Sequence, residues 1–276
     1  MDVKTKYDTL ASYESLKYKK EISYAIHKQL DFTKLKSGQI PYDDINDWLA
    51  ANFPLKEGQR LLDAGCGTGK TLFHFLSRYK ILATGISKSD VEIRLAMSAS
   101  KALGYNGSCK FIVKDYCDCL PEKYDTIVAI ESLKHADDLE AALLNLSLAL
   151  ADNGNLIVVE DLLKRNSSKL PHRQLLQKTW ALKQLHTKED YVEQLKVAGM
   201  VCIEDNDFTQ AVRSRPVYIN FLLIAIFGFL KTIALTRSQR RLIAIFQAGF
   251  VHELYYATGR MEYRAMVFRR RPSGWI

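Results

Sequence analysis

Leu61-Leu62-Asp63-Ala64-Gly65-Cys66-Gly67-Thr68-Gly69-Lys70 places an acidic residue and three alternate glycines directly after a short apolar run. An amphipathic segment, residues 71–79, follows it. This is the order of a strand, a tight glycine turn and a helix, the element that lets a backbone come close to a nucleotide-like ligand.

Outward from that turn the pattern repeats. Strands are expected at residues 60–64, 81–86, 109–113, 124–130, 154–160, 200–208 and 261–268, with helices at 69–79, 89–103, 138–150 and 187–198. Strands alternating with helices of this length imply an α/β fold: a mostly parallel sheet with helices on both faces. Parallel crossovers are right-handed, so a ligand belongs at the C-terminal ends of the strands, where strand order reverses. The glycine turn lies at such an end. Residues 1–50 read as a helical arm bearing Tyr7, Tyr13, Tyr18, Tyr24 and His27, with a short helix at 42–52. Two insertions remain, 162–183 and 211–258. The second contains residues 216–230, fifteen positions without a formal charge. A helix of that length spans roughly 22 Å, short of the roughly 30 Å hydrocarbon core of a bilayer. It is expected as a cap helix, apolar nearly all round, with one face on the core and the other on a greasy substrate or a membrane. The chain thus divides into an arm (1–54), a core (55–210), a cap (211–260) and a closing strand with a basic tail (261–276).

Composition narrows the classes. A chain of 276 residues, 47% hydrophobic and 25% charged, suits a soluble globular enzyme. Residues 1–21 are charged throughout, so no signal peptide is expected. Cys66, Cys109, Cys117, Cys119 and Cys202 are odd in number and lack zinc spacing, which favours reduced thiols in the cytoplasm. His172, His186 and His252 are scattered and read as structural, so no metal set is expected. Tyr255, Tyr256, Phe246 and Phe250 sit at helical spacing and read as core.

The net charge of +8 is uneven: residues 210–276 carry eleven Lys and Arg against Glu253 and Glu262. These cations bracket an apolar run rather than interleaving with aromatics, so nucleic acid is not an expected partner. A solvated basic face, peripheral contact with a membrane, and an anionic lipophilic ligand are the readings that remain.

Two chemistries compete for the glycine turn. Read from Ala64, A-x-x-x-x-G-K-T resembles a phosphate-binding P-loop with alanine first. Read from Asp63, D-x-G-x-G-x-G resembles the first motif of class I S-adenosylmethionine methyltransferases. A P-loop uses its lysine on phosphates and needs a magnesium-binding acid at another strand end, for which Glu160-Asp161 is the candidate. A carboxylate such as Asp63 beside a phosphate would repel it, which favours the second reading.

The resemblance to class I methyltransferases covers residues 55–208 and continues more weakly to the end. It implies a Rossmann-like seven-stranded sheet and S-adenosyl-L-methionine as cofactor, with Asp63, Gly65, Gly67 and Gly69 at its methionine moiety. The family's second strand ends in an acid that binds the ribose. Here that end reads Thr84-Gly85-Ile86-Ser87-Lys88-Ser89, without an acid, as in some sterol and tocopherol methyltransferases, and Ser87 becomes the ribose candidate. Lys114-Asp115-Tyr116 matches the adenine contact, with Asp115 accepting from the exocyclic amine and Tyr116 covering the ring. Residues 130–138 resemble the I-E-x-x-x-H-A-x-D segment of sterol side-chain methyltransferases. Glu131 and His135, four apart, would share one side of a helical turn facing the cofactor. His135 has the side chain suited to proton transfer near neutrality.

The expected activity is methylation of a small lipophilic acceptor, isoprenoid, sterol or lipid-like, at carbon, oxygen or nitrogen. An aromatic natural product is the alternative acceptor. A P-loop nucleotide-binding protein, and a protein of this fold that transfers no methyl group, such as a cyclase, stand beside it.

Overall fold

The computed structural model describes residues 30–31, 44–120, 122–165, 167 and 170–271. The tyrosine-bearing arm, His27 and the last five residues lie outside the described residues. Leu30 forms an antiparallel bridge with Val212, and the Asp31 N–H donates to the Ala211 carbonyl at 2.7 Å.

Seven strands form one sheet: β1 (Arg60–Ala64), β2 (Leu82–Ser87), β3 (Cys109–Val113), β4 (Tyr124–Ile130), β5 (Leu150–Leu163), β6 (Met200–Asp207) and β7 (Met261–Arg270). Their order is β3-β2-β1-β4-β5-β7-β6. β1 to β5 pair in parallel, and β7 runs antiparallel to both β5 and β6. Strand order reverses between β1 and β4, which opens the crevice above their C-terminal ends.

The central strands are apolar on both faces because helices cover both. Alternate residues divide between two cores. Leu61, Val128, Ile130, Ile157 and Val159 face one side, packed under α1 (Ile45–Asn52), α2 (Lys70–Leu76), α3 (Asp90–Ala102) and, later in the chain, α8 (Arg237–Ala257). Leu62, Ile127, Ala129, Leu156 and Val158 face the other, under α4 (Leu139–Ala149) and α6 (Lys188–Val197). Side chains start these helices where water would otherwise have to. Ser89 accepts from the Glu92 N–H at 3.2 Å, Asp138 from Ala141 at 3.0 Å, and Thr187 with Asp190 makes a capping box. In the two insertions lie α5 (Arg173–Trp180) and α7 (Val217–Ile233), the latter packed along α8 as a helical hairpin.

Element boundaries differ from expectation where a long-range partner decides them. β5 runs well beyond residues 154–160, since β7 pairs with it from Leu156 to Leu163. α2 stops at Leu76, short of residue 79. The chain turns there, and the Tyr79 hydroxyl donates to the Ala50 carbonyl at 2.6 Å, tying the turn to α1.

The glycine turn is locked by the strands around it. The N–H groups of Gly65 and Cys66 both donate to the Ile86 carbonyl at 2.9 Å, and Ser132 Oγ donates to the Ala64 carbonyl at 2.6 Å. Gly65 has φ +98°, and a Cβ there would lie 2.3 Å from the Ser132 Cβ. Conformation and space both demand glycine. Gly65→Ala is expected to destabilise the fold by about 2 kcal/mol or more, read as a lowered midpoint in urea unfolding.

Candidate functional site

The residues singled out by pattern converge on the crevice between β1 and β4. β1 carries Asp63, and the turn after it holds Gly65, Gly67 and Gly69, all at positive φ. Gly69 caps α2, and a Cβ on it would meet the Phe111 ring at 2.8 Å. The turn therefore exposes backbone where side chains would close it. Asp63 is 2% exposed and has no ion-pair or hydrogen-bond partner among the described residues. Burial alone pushes its carboxyl up to about 7. A buried acid inside a glycine cradle, lacking a cation of its own, suits a ligand that brings one.

Lys70 faces elsewhere. Its ammonium pairs with Asp44 at 3.2 Å, ahead of α1, on a half-exposed surface. The acids that a P-loop would need for magnesium, Glu160 and Asp161, are held by an ammonium instead, as described below. Neither feature of the phosphate reading is assembled.

At the end of β2, Ser87 is buried, and its hydroxyl donates to Glu92 Oε2 at 2.8 Å while accepting from the Ser89 N–H at 3.1 Å. The acid absent from the strand end is thus delivered from the first turn of α3. Ser89-x-x-Glu92 has the spacing of a capping box, which disguises Glu92 in the sequence as a helix-start residue. The fold turns its carboxylate toward Ser87.

At the end of β3, Asp115 pairs with Lys88 at 2.6 Å and accepts from the Cys117 N–H at 2.9 Å. Tyr116 is buried, its hydroxyl donating to the Ser132 carbonyl at 2.9 Å. Lys88 stands 5.9 Å from the centre of the Tyr116 ring and also pairs with Asp137 at 3.0 Å. The two predicted residues flank one corner of the crevice, with Lys88 between their strand and the β4 loop.

Glu131 and His135 leave β4 as expected in position but not in conformation. Glu131 is left-handed, φ 50°, and a 3-10 turn at Leu133–His135 follows it, so the two do not share a helical turn. The Glu131 N–H continues the sheet by donating to Val159 O at 2.8 Å, and the 3-10 turn begins two residues later. The Tyr263 hydroxyl donates to the Glu131 carboxylate at 3.0 Å. His135 is buried, with its backbone N–H on the Ser132 carbonyl at 3.0 Å.

Pattern reading missed the cluster beneath. Lys134 inserts its ammonium among Asp161 at 2.7 Å, Glu160 at 3.2 Å and Glu131 at 3.7 Å, all but Glu131 nearly or fully buried. Tyr256 on α8 donates to Asp161, and His252 Nε2 lies 3.4 Å from the same carboxylate. Burial raises the Glu160 pKa against the pull of Lys134, and burial together with Glu131 raises that of Tyr263 well above the tyrosine range. His252, expected to be structural, is buried in this cluster; Phe246, expected in the core, is instead exposed. Groups gathered from the β4 loop, β5 and α8 have no common spacing in the chain, so no local pattern announces them.

The sequence profile of a family described as methyltransferase domain matches residues 38–204. An O-methyltransferase of Aspergillus nomiae is 36% identical over 37% of this chain and 47% of its own length. Norajmaline N-methyltransferase of Rauvolfia serpentina is 31% identical over 57% of each chain. The chain thus spans about half the length of these curated relatives. The crystal structure of the (4+2) cyclase SpnF superposes with a TM-score of 0.72 at 21% identity, covering 97% of this chain and 94% of that one, a likeness of fold.

Two outcomes test the electrostatics. A carboxyl whose pKa rises on folding holds its proton longer folded than unfolded, so stability falls as pH climbs from about 4 toward about 7. Asp63→Asn is expected to abolish that slope and to gain as much as about 4 kcal/mol at pH 7, measured by urea unfolding across pH. Lys134→Met strands buried carboxylates and is expected to lose about 3–5 kcal/mol. That loss shrinks as pH falls, because a buried acid without its cation takes up a proton more readily.

Proposed function

Because the chain belongs to the methyltransferase domain family, we propose that it transfers a methyl group from S-adenosyl-L-methionine to a small lipophilic acceptor. The observation that carries this reading is Asp63, a buried carboxylate without a partner among the described residues, set in a glycine turn at the reversal of strand order. The chemistry of the donor set fits the cofactor. Gly65, Gly67 and Gly69 present backbone to the methionine portion, and Asp63 meets its positive charge. Glu92, positioned by Ser87, takes the ribose hydroxyls in place of the acid missing from β2. Asp115 and Tyr116 hold the adenine.

When bound, the cofactor supplies a methyl group already activated on a sulfonium, so the protein's task is alignment in a site that excludes water. Glu131 is fixed by its left-handed backbone and by Tyr263, and it orients the cofactor side of the crevice. His135 takes the proton that an oxygen or nitrogen acceptor must lose. The relatives' names, an O-methyltransferase and an N-methyltransferase, favour such a heteroatom over carbon. The apolar hairpin of α7 and α8 beside the site favours an acceptor with a greasy body.

The test is incubation with methyl-labelled S-adenosyl-L-methionine and a lipid-soluble metabolite extract, with mass identification of the product. Label in a lipophilic product is expected. Cofactor binding without label transfer would overturn methyl transfer in favour of a cyclase-like or binding role. His135→Ala is expected to lower turnover by about 10²-fold with cofactor affinity held, whereas Glu92→Ala weakens the affinity itself by about tenfold. Equal loss of turnover and affinity in His135→Ala would make His135 a structural residue.

A further inference from the structure

We infer that the hairpin of α7 and α8 is a docking surface for lipid bilayers carrying anionic headgroups. α7 buries only Asn220 and Ile224, although its sequence is apolar almost throughout. Tyr218, Leu222, Phe229 and Ile233 recur at helical spacing and all face outward, Phe229 being 65% exposed. Leu235, in the turn to α8, is 91% exposed. The stripe therefore ends in an apolar tip. Soluble surfaces seldom present a contiguous strip of this kind without a partner for it.

Charge identifies the partner. No Asp or Glu occurs between Asp207 and Glu253. Lys231, Arg237, Arg240 and Arg241 flank the tip, and none of them forms an ion pair among the described residues. At the far end Arg215 is neutralised by Glu253, which leaves Arg213 as the cation there without an ion pair among the described residues, against four around the tip. An apolar tip ringed by cations matches the boundary of a bilayer, with acyl chains below and phosphates at the level of the guanidinium groups. A second copy of the hairpin is a poor match, since two such tips would bring like charges together with no acid between them. The geometry is that of a segment lying on a membrane, and no helix among the described residues is long and apolar enough to cross one.

Vesicle flotation tests this without any methyl acceptor, so its outcome is independent of the proposed activity. The full chain is mixed with vesicles of phosphatidylcholine alone or of phosphatidylcholine with phosphatidylglycerol. Flotation with the anionic vesicles, weakened by added salt, is expected. Phe229→Glu with Leu235→Glu, and separately Arg237→Glu with Arg241→Glu, are each expected to cut the bound fraction by roughly tenfold or more. Both pairs sit on exposed positions, and unchanged circular dichroism and thermal midpoints report an intact fold. A wild-type chain that ignores anionic vesicles overturns the inference. So does binding that survives both double variants. So does a dimer that Phe229→Glu with Leu235→Glu dissociates while vesicle binding persists, which would make the stripe a contact between copies of the chain.

Discussion

The ends of β1 and β4 approach so closely that the Cβ of any residue but glycine at position 65 would collide with Ser132. Much of the candidate site depends on that contact. It brings the glycine turn against the loop that carries Glu131 and His135, and the Ser132 hydroxyl closes it on the Ala64 carbonyl. The Ser132 carbonyl in turn accepts from Tyr116, which ties in the end of β3. Three strand ends are thus joined through one serine, and the crevice between them has walls of backbone. Close-packed interiors transmit displacement rather than absorb it, so the turn and the β4 loop form one rigid unit.

A second constraint lies below the crevice. Lys134 stands among three carboxylates in a region nearly closed to water, where removing charge from solvent is costly unless each group is paired. Two tyrosine hydroxyls complete the pairing, Tyr256 from α8 on Asp161 and Tyr263 from β7 on Glu131. Glu131 therefore belongs both to the crevice and to this cluster. The cluster joins the helical hairpin to the sheet through polar contacts that demand one arrangement, where apolar packing alone would tolerate several. A change in the position of α8 would be felt at Glu131.

Much of the sheet was legible in the chain because its signals are local. Apolar runs ending in glycine or an acid marked β1, β2 and β4, and Ser89, Asp138 and Thr187 stand at the helix starts they cap. Asp63, Asp115, Tyr116, Glu131 and His135 lie at strand ends, where the alternation of elements places ligand-facing residues. Glu92 was hidden by its own neighbourhood, since three residues after a serine at a helix start it reads as a cap. Lys134 was hidden differently. A lysine in a loop reads as solvated, and only its neighbours from β5 show it to be buried.

The sequence by itself determined the order of elements, the glycine turn and the residue types presented at each strand end, because these depend on periodicity and backbone freedom over a few residues. Only the tertiary structure decided which charges meet. The length of β5, the turn of Glu92 toward Ser87, the pairing of Lys134 with acids from another strand and the outward face of α7 all arise from contacts between segments far apart in the chain. The physical reason is that burial sets the cost of a charge or an apolar surface, and burial is a property of the assembled fold.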